Sequence, residues 1–443
     1  MLFFSLFATM KEKTEDGMAR NQREKMWLRL DNAAKIFPAS MRRGWSNVFR
    51  LSATLREPVK PTFLAEAARR ACKRYPSVCV RLKRGLFWYY LEETGAPLPK
   101  EEGCQPLYPM TRAEMGKCAL RILYYENRIA VEFFHALTDG TGGMTFLKTL
   151  VLCYLEVRYG KAFPRGEAIP DPDGAATPEE LEDAFLRYAG KNAVPRDPSP
   201  AFRLQGKPES DGFLHVTCAT VPVKEILALA RNKGVSLTAL LSASFAYCIA
   251  KLQREKVSPE REKAVRVQIP VNLRRFFPSS TVRNFVAVVN VGLEKGETDA
   301  DFDEILSLVH HQMALLITPR NLKATFTANV KSEKGVVIRL VPLFLKNIVM
   351  RAVFDRVGES SACLCLSNLG QVVLPEDMAE QVTRFDFIIG PQAMAPYNCG
   401  VVSYGGEIRI SVVRNTREPE LERVLFPFLS SLGLDLTLES NER

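Results

Sequence analysis

The stretch Phe133-Phe134-His135-Ala136-Leu137-Thr138-Asp139-Gly140 constrains this 443-residue chain more than any other. Two apolar runs before it, 121–125 and 129–134, are split by Glu126-Asn127-Arg128, which predicts two strands joined by a tight turn. After it, residues 144–155 have the length and apolar content of a largely buried helix, with Thr141-Gly142-Gly143 loosening the backbone in between. The order is therefore strand, His, Asp-Gly turn, helix. Only four histidines occur (135, 215, 310 and 311), so one set at such a junction carries weight. A neutral imidazole accepts a proton near pH 7, and a neighbouring carboxylate can fix its setting. A satisfied structural histidine in a strand-to-helix turn is the alternative that spacing alone leaves open.

The flanking sequence gives this junction a setting. Residues 47–55 alternate as a strand, and 63–75 form an amphipathic helix with Leu64, Ala67, Ala68, Ala71 and Cys72 on one face, ended by Pro76. A hairpin over 78–92 turns at Lys83-Arg84-Gly85. Prolines recur from Gly160 to Pro208, with one helix predicted over 179–188, so this stretch reads as a crossover. The second half reads as strand 213–221, helix 223–233, a helix 237–251 capped by Ser236, a strand running into a basic turn over 265–278, strand 286–291 and helix 302–316. An apolar helix over 336–353 follows, then strand 362–366, three further strands (385–389, 399–404 and 407–413) and a last helix over 418–432. Each half mixes strands with helices. The domain reading is an N-terminal extension (1–18), a lobe carrying the His motif (19–160), a Pro-rich crossover (161–208) and a second lobe (209–443).

Composition narrows the function classes. A chain 47% apolar and 25% charged is that of a folded protein with a sizeable core. The ten cysteines show no C-x-x-C pair and sit mostly in apolar runs, so reduced thiols in a cytoplasmic setting are expected rather than disulfides or zinc. The apolar start over 1–10 lacks a basic lead and is too short to span a bilayer, and no later run is long and charge-free enough, so no stable membrane insertion is expected. Net charge is +10, and between Arg20 and Arg84 Lys and Arg outnumber Asp and Glu by 17 to 4. That predicts a positive field on one lobe. No helix-turn-helix, finger or aromatic-basic pattern accompanies it, which argues against nucleic acid and leaves an anionic co-substrate or a solvated basic face.

Several chemistries drop out on motif grounds. There is no G-x-S-x-G elbow. Gly140-Thr141-Gly142-Gly143 matches neither a dinucleotide fingerprint nor a Walker loop. His135 and Asp139 have no adjacent third ligand, His310 and His311 point in different directions on a helix, and no metal is expected.

What remains is His-x-x-x-Asp-Gly at a strand end. His135-Ala136-Leu137-Thr138-Asp139-Gly140 resembles the signature of the coenzyme A-dependent acyltransferase superfamily: chloramphenicol acetyltransferase, plant BAHD acyltransferases, condensation domains of nonribosomal peptide synthetases and alcohol acetyltransferases. Further segments match in order. Residues 27–38 resemble the opening of bacterial alcohol acetyltransferase-like proteins, Pro270-Val271-Asn272-Leu273-Arg274 the strand-to-turn carrying the superfamily's arginine, and Arg283-Asn284-Phe285 its Gly-Asn-Phe-like site. Ser367-Asn368-Leu369-Gly370 resembles a later strand lining the channel. Two departures narrow the branch. Phe134 stands where condensation domains usually carry a second His, and the Asp-Phe-Gly-Trp-Gly motif of plant members is missing. The alcohol acetyltransferase-like branch fits best.

The resemblance implies an α/β (α+β) fold of two chloramphenicol acetyltransferase-like lobes, each a mixed β-sheet with helices, and a channel at their interface. It also implies transfer of an acyl group, in the simplest case acetyl, from acyl-coenzyme A as co-substrate to an alcohol or amine, with no permanently bound cofactor. His135 would be the general base and Asp139 a structural support paired with an arginine, Arg274 best and Arg275 or Arg283 otherwise. Gly140, Arg274, Asn284, Ser367 and Asn368 would contact substrate, Ser367 through its hydroxyl. Two other readings stay open: a catalytically silent binding or scaffold protein of the same shape, and transfer from the phosphopantetheine of an acyl carrier protein.

Overall fold

The structure is a computed structural model that describes residues 25–442 apart from 43–46, 104, 168, 195–198, 210, 335–339, 356–359 and 393–394. The expected extension over residues 1–18 lies outside these. Two mixed sheets organise the chain. The first has five strands in the order Val382–Ile389, Val48–Leu55, Arg128–Phe134, Leu120–Tyr125 and Lys100–Glu101. Side chains alternate across its two central strands, which pair antiparallel with Phe49 opposite Phe133 and Leu51 opposite Val131. That face is apolar and packs against the helix Gly140–Tyr159, so closely that a Cβ on Gly143 would lie 3.1 Å from side-chain atoms of Leu51 and Phe49. The opposite face carries buried Arg50, Ser52, Glu132 and Asp386. Arg50 is paired within this face to Glu102 at 2.6 Å, and the face meets the second sheet through the ion pair of Asp386 with Arg409 at 2.6 Å.

The second sheet has seven strands: Val286–Leu293, Val265–Asn272, Leu364–Gln371, Tyr397–Tyr404, Glu407–Arg414, His215–Pro222 and Thr437–Ser440. Leu364–Gln371 runs parallel to both of its neighbours, and the other pairings are antiparallel. Helices Leu237–Lys256, Phe302–Leu316 and Glu420–Ser431 share its apolar core. A small sheet of Trp27–Arg29 and the hairpin Val80–Arg84 and Tyr89–Glu93 completes the strands. The mixed α/β class and the pair of sheets agree with the reading from sequence.

Several expectations change. The strand Val382–Ile389, from sequence placed with the second half, is an edge strand of the first sheet, antiparallel to Val48–Leu55. The helix expected over 179–188 is two short ones, Pro178–Leu181 and Ala184–Tyr188, because the Asp183 side chain accepts from Phe185 N–H and starts a second helix. The strand expected to end at residue 366 continues through Leu364–Gln371. Of the helix expected over 336–353 the described part is Leu343–Val353, opened by Pro342.

Cysteine chemistry is also corrected: Cys72 and Cys79 form a disulfide, their Cα atoms 5.5 Å apart. Pro76 ends the helix Pro61–Arg74, and the turn after it brings the two residues together, a proximity that a spacing of seven does not advertise. Seven other cysteines among the described residues are free thiols. The basic excess of the N-terminal part is largely paired within the fold. Arg74 forks onto Glu180 at 2.8 and 2.5 Å, Arg70 bridges Glu156 and Asp173, and Arg81 binds Glu92.

Candidate active site

His135 follows the last residue of the strand Arg128–Phe134, and its backbone N–H donates to Asn47 O at 2.9 Å. Its ring is held between two aromatic side chains, stacked on Phe37 with centroids 4.4 Å apart and edge-on to Phe49 at 5.1 Å. The imidazole Nδ1 lies 3.2 Å from Asn284 Oδ1. The Asn284 amide cannot be turned round, because its Nδ2 donates to His135 O at 3.0 Å and to Asp31 Oδ2 at 3.3 Å, both of which only accept. A carbonyl oxygen facing Nδ1 requires that Nδ1 carry the proton. Nε2 is thereby left with its lone pair. Burial is the main influence on this histidine and pulls its pKa below 6.5, opposed more weakly by hydrogen bonds and by the charges of Asp139 and Asp31. The resting ring is a neutral base with a fixed tautomer.

Asp139 sits four residues on and has a different kind of surrounding. It caps the helix Gly140–Tyr159, Oδ1 accepting from Gly142 N–H at 2.9 Å. Oδ2 accepts from Phe285 N–H and from Arg274 Nη1, both at 2.8 Å. Arg274 has its remaining donors on Thr281 O, Arg283 O and Asn272 Oδ1. The motif is thus braced by the segment 272–285 of the other half of the chain. The glycines serve this approach rather than loosening the backbone. A Cβ on Gly142 would lie 2.1 Å from Val282 O, and one on Gly140 would lie 2.6 Å from Leu369 Cδ2. Consequently the helix begins at Gly140, earlier than the glycines suggest from sequence alone.

A cavity of about 1500 Å³ opens in front of His135. Its walls are mostly apolar, with Phe37, Phe49, Pro270, Val286, Val288 and Ile389 among them, and Gln268, Gln392 and Asn398 among its polar groups. His135 and Asn284 line it; the other three histidines do not. Of the residues expected to contact substrate, Gly140, Arg274, Ser367 and Asn368 are not on its wall. Arg274 is turned to Asp139, and Asn368 is tied to Thr238 Oγ1 at 3.2 Å and to Gly370 N–H at 2.8 Å. The strand carrying Ser367 reaches the motif through Leu369 instead. Asn284 faces the cavity but its amide is engaged by His135 and Asp31.

Sequence reasoning missed Asp31. It is fully buried, accepts from Ala34 N–H at 2.8 Å and from Asn284, and has the Arg283 guanidinium at 3.8 Å. Burial raises its pKa above 3.8, against the pull of Arg283 and its hydrogen bonds. The only signal was its place in Leu30-Asp31-Asn32-Ala33, where it reads as an ordinary turn or cap residue.

No family model matches the sequence. Two curated relatives from Mycobacterium tuberculosis, the uncharacterized proteins MT2362 and Rv2305, are each 26% identical over 294 residues; the match covers 64% of this chain and 66% of the relatives' length. Among solved structures, polyketide synthase associated protein 5 from Mycobacterium tuberculosis superposes with a TM-score of 0.61 at 14% identity, covering 91% of this chain and 97% of that one. TRI101 of F. sporotrichioides, crystallised with coenzyme A and T-2, gives 0.62 at 12% identity over 94% and 100%. The first condensation domain of the CDA synthetase gives 0.54 at 14% over 93% and 95%. The chain therefore has the two-lobed chloramphenicol acetyltransferase-like fold that coenzyme A-dependent acetyltransferases and condensation domains share.

Proposed function

We propose that the protein is an acyltransferase moving an acyl group from a coenzyme A thioester to an alcohol hydroxyl, with His135 as the general base. The observation that carries this is the state of the imidazole: Nδ1–H committed to Asn284 Oδ1, Nε2 unprotonated, and the ring on the wall of a large, mostly apolar cavity. In the proposed step Nε2 takes the acceptor's O–H proton while that oxygen bonds to the thioester carbonyl carbon. The C–S bond then breaks and the proton passes from Nε2 to the departing thiolate, which leaves as free thiol. Substrates supply every atom, and the histidine ends as it began. Asp139 and Arg274 hold the turn that sets the ring and touch neither substrate.

Incubation with acetyl-coenzyme A and a panel of alcohols, followed by thiol release, tests the reading. His135→Ala should lower turnover by about three orders of magnitude, the middle of the range a positioned base contributes, with the fold intact. Near-normal turnover by that variant would refute the assignment. Because burial holds the imidazole pKa below 6.5, the acid limb of the rate profile should lie below pH 6.5, activity persisting as pH falls until the ring protonates.

A carrier-borne thioester is the second reading. Among the described residues the cations on the cavity wall are Lys35 and Arg42, engaged by Glu333 and Asp355, so those two offer coenzyme A phosphates little uncompensated positive charge. Acyl carrier protein as donor in the same assay separates the two.

A further inference from the structure

The helix Leu343–Val353 exposes most of its apolar side chains. Phe344, Leu345, Ile348, Val349 and Val353 are between 44% and 65% accessible and recur at spacings of four, so they form two adjacent rows on one face. Beside them is the tip of the hairpin formed by Val80–Arg84 and Tyr89–Glu93, where Leu86 is 72% exposed and Phe87 is exposed as well. Helix and tip are one surface: Leu343 N–H donates to Leu86 O at 2.9 Å, and Lys346 Nζ donates to Phe87 O at 3.0 Å while lying 3.6 Å over the Trp88 ring. Scattered exposed apolar residues are ordinary; a contiguous set on two linked elements marks a contact surface.

Charge indicates what this surface meets. From Leu340 to Phe354 the sequence has no Asp or Glu, and of its two cations Lys346 is buried and turned to the hairpin, which leaves Arg351. Arg351 is exposed on the helix, and exposed Arg84 stands at the hairpin tip. Aliphatic and aromatic side chains flanked by arginine, on a helix too short to span a bilayer, are the features of an element lying at a lipid interface. The same helix frames the cavity, whose wall includes Val349, Met350, Val353 and Phe354. The helix and His135 therefore border one and the same cavity.

We propose that the helix Leu343–Val353 and the tip Leu86-Phe87 rest on an anionic lipid surface, and that the acceptor alcohol is an amphiphile drawn from that surface. The first half stands on the exposed face alone. The second rests on the acyl-transfer reading.

Sedimentation of the full chain with vesicles tests it. The protein should pellet with vesicles of phosphatidylglycerol mixed with phosphatidylcholine, and the bound fraction should fall about tenfold with phosphatidylcholine alone or with Phe344→Glu/Ile348→Glu, two positions outside the cavity wall. Arg84→Glu should weaken binding about threefold and serves if the double variant fails to fold. Wild-type protein left in the supernatant with anionic vesicles would overturn the proposal, as would variants that pellet like wild type. A dimer without lipid that the double variant abolishes would also overturn it and assign the face to a second copy of the chain. Turnover of a short, water-soluble alcohol should survive the double variant, while turnover of a long-chain alcohol held in vesicles should drop about tenfold. Vesicle binding with no alcohol acylated at all would leave the surface standing and remove the acyl-transfer reading.

Discussion

Two buried carboxylates flank His135, and they are held in opposite ways. Asp139 receives an arginine nitrogen and two backbone N–H groups, three donors at 2.8 to 2.9 Å. Asp31 takes one short bond, from Ala34 N–H at 2.8 Å, but has its nearest cation at 3.8 Å and Asn284 Nδ2 at 3.3 Å, and its pKa is pushed up by burial. A carboxylate met by a full set of donors is a brace. One whose charge is poorly compensated can instead act through a neutral intermediary, and here the intermediary is the Asn284 amide that dictates which imidazole nitrogen carries the proton.

The comparison can be broken at the brace first. Asp139→Asn should unfold with a loss of about 3 kcal/mol in urea titration, because it leaves the Arg274 guanidinium buried without its counter-charge. Unchanged stability would mean that Asp139 is not the brace described. Next, Asn284→Ala should leave stability within about 1 kcal/mol but lower turnover about a hundredfold, since either tautomer then becomes accessible. Nitrogen NMR of the imidazole should show the Nδ1–H form in wild type and a mixture in the variant; a single unchanged tautomer would sever Asn284 from its role.

The smallest effect belongs to Asp31→Asn. An amide there can set an NH2 against Asn284 Nδ2, so turnover should fall about tenfold without the stability loss of the brace variant. Its pH signature has a definite sign. With the folded pKa raised above 3.8, the folded state holds more protons than the unfolded chain between those two values, so this residue makes stability fall as pH rises through that window. The asparagine variant should lose that slope. The same slope in both proteins would exclude Asp31 as its source.

How much of this was legible in the sequence follows the range of the interactions. The strand ending at His135 and the buried helix after Asp139 show as local alternation and length, and the contact between Asp139 and Arg274 lies across a separation of 135 that only the family resemblance suggested. Asp31 and Asn284 are 253 residues apart, and no periodicity connects them. The glycines after Asp139 illustrate the same limit. Read locally they loosen a turn; in the fold they admit the Val282 carbonyl and the Leu369 side chain, contacts invisible to a window of ten residues. Ser367 and Asn368 show the converse, since a plausible motif match put side chains near substrate that the strand keeps off the cavity wall.

The strand Val382–Ile389 has a consequence for how the protein is made. The sheet that carries His135 lacks one edge until this strand emerges late in synthesis, so Val48–Leu55 exposes an unpaired row of backbone donors and acceptors in the nascent chain. At roughly 5 to 20 residues per second that interval is on the order of tens of seconds. A chain arrested before residue 382 would present that edge to its neighbours on the same message.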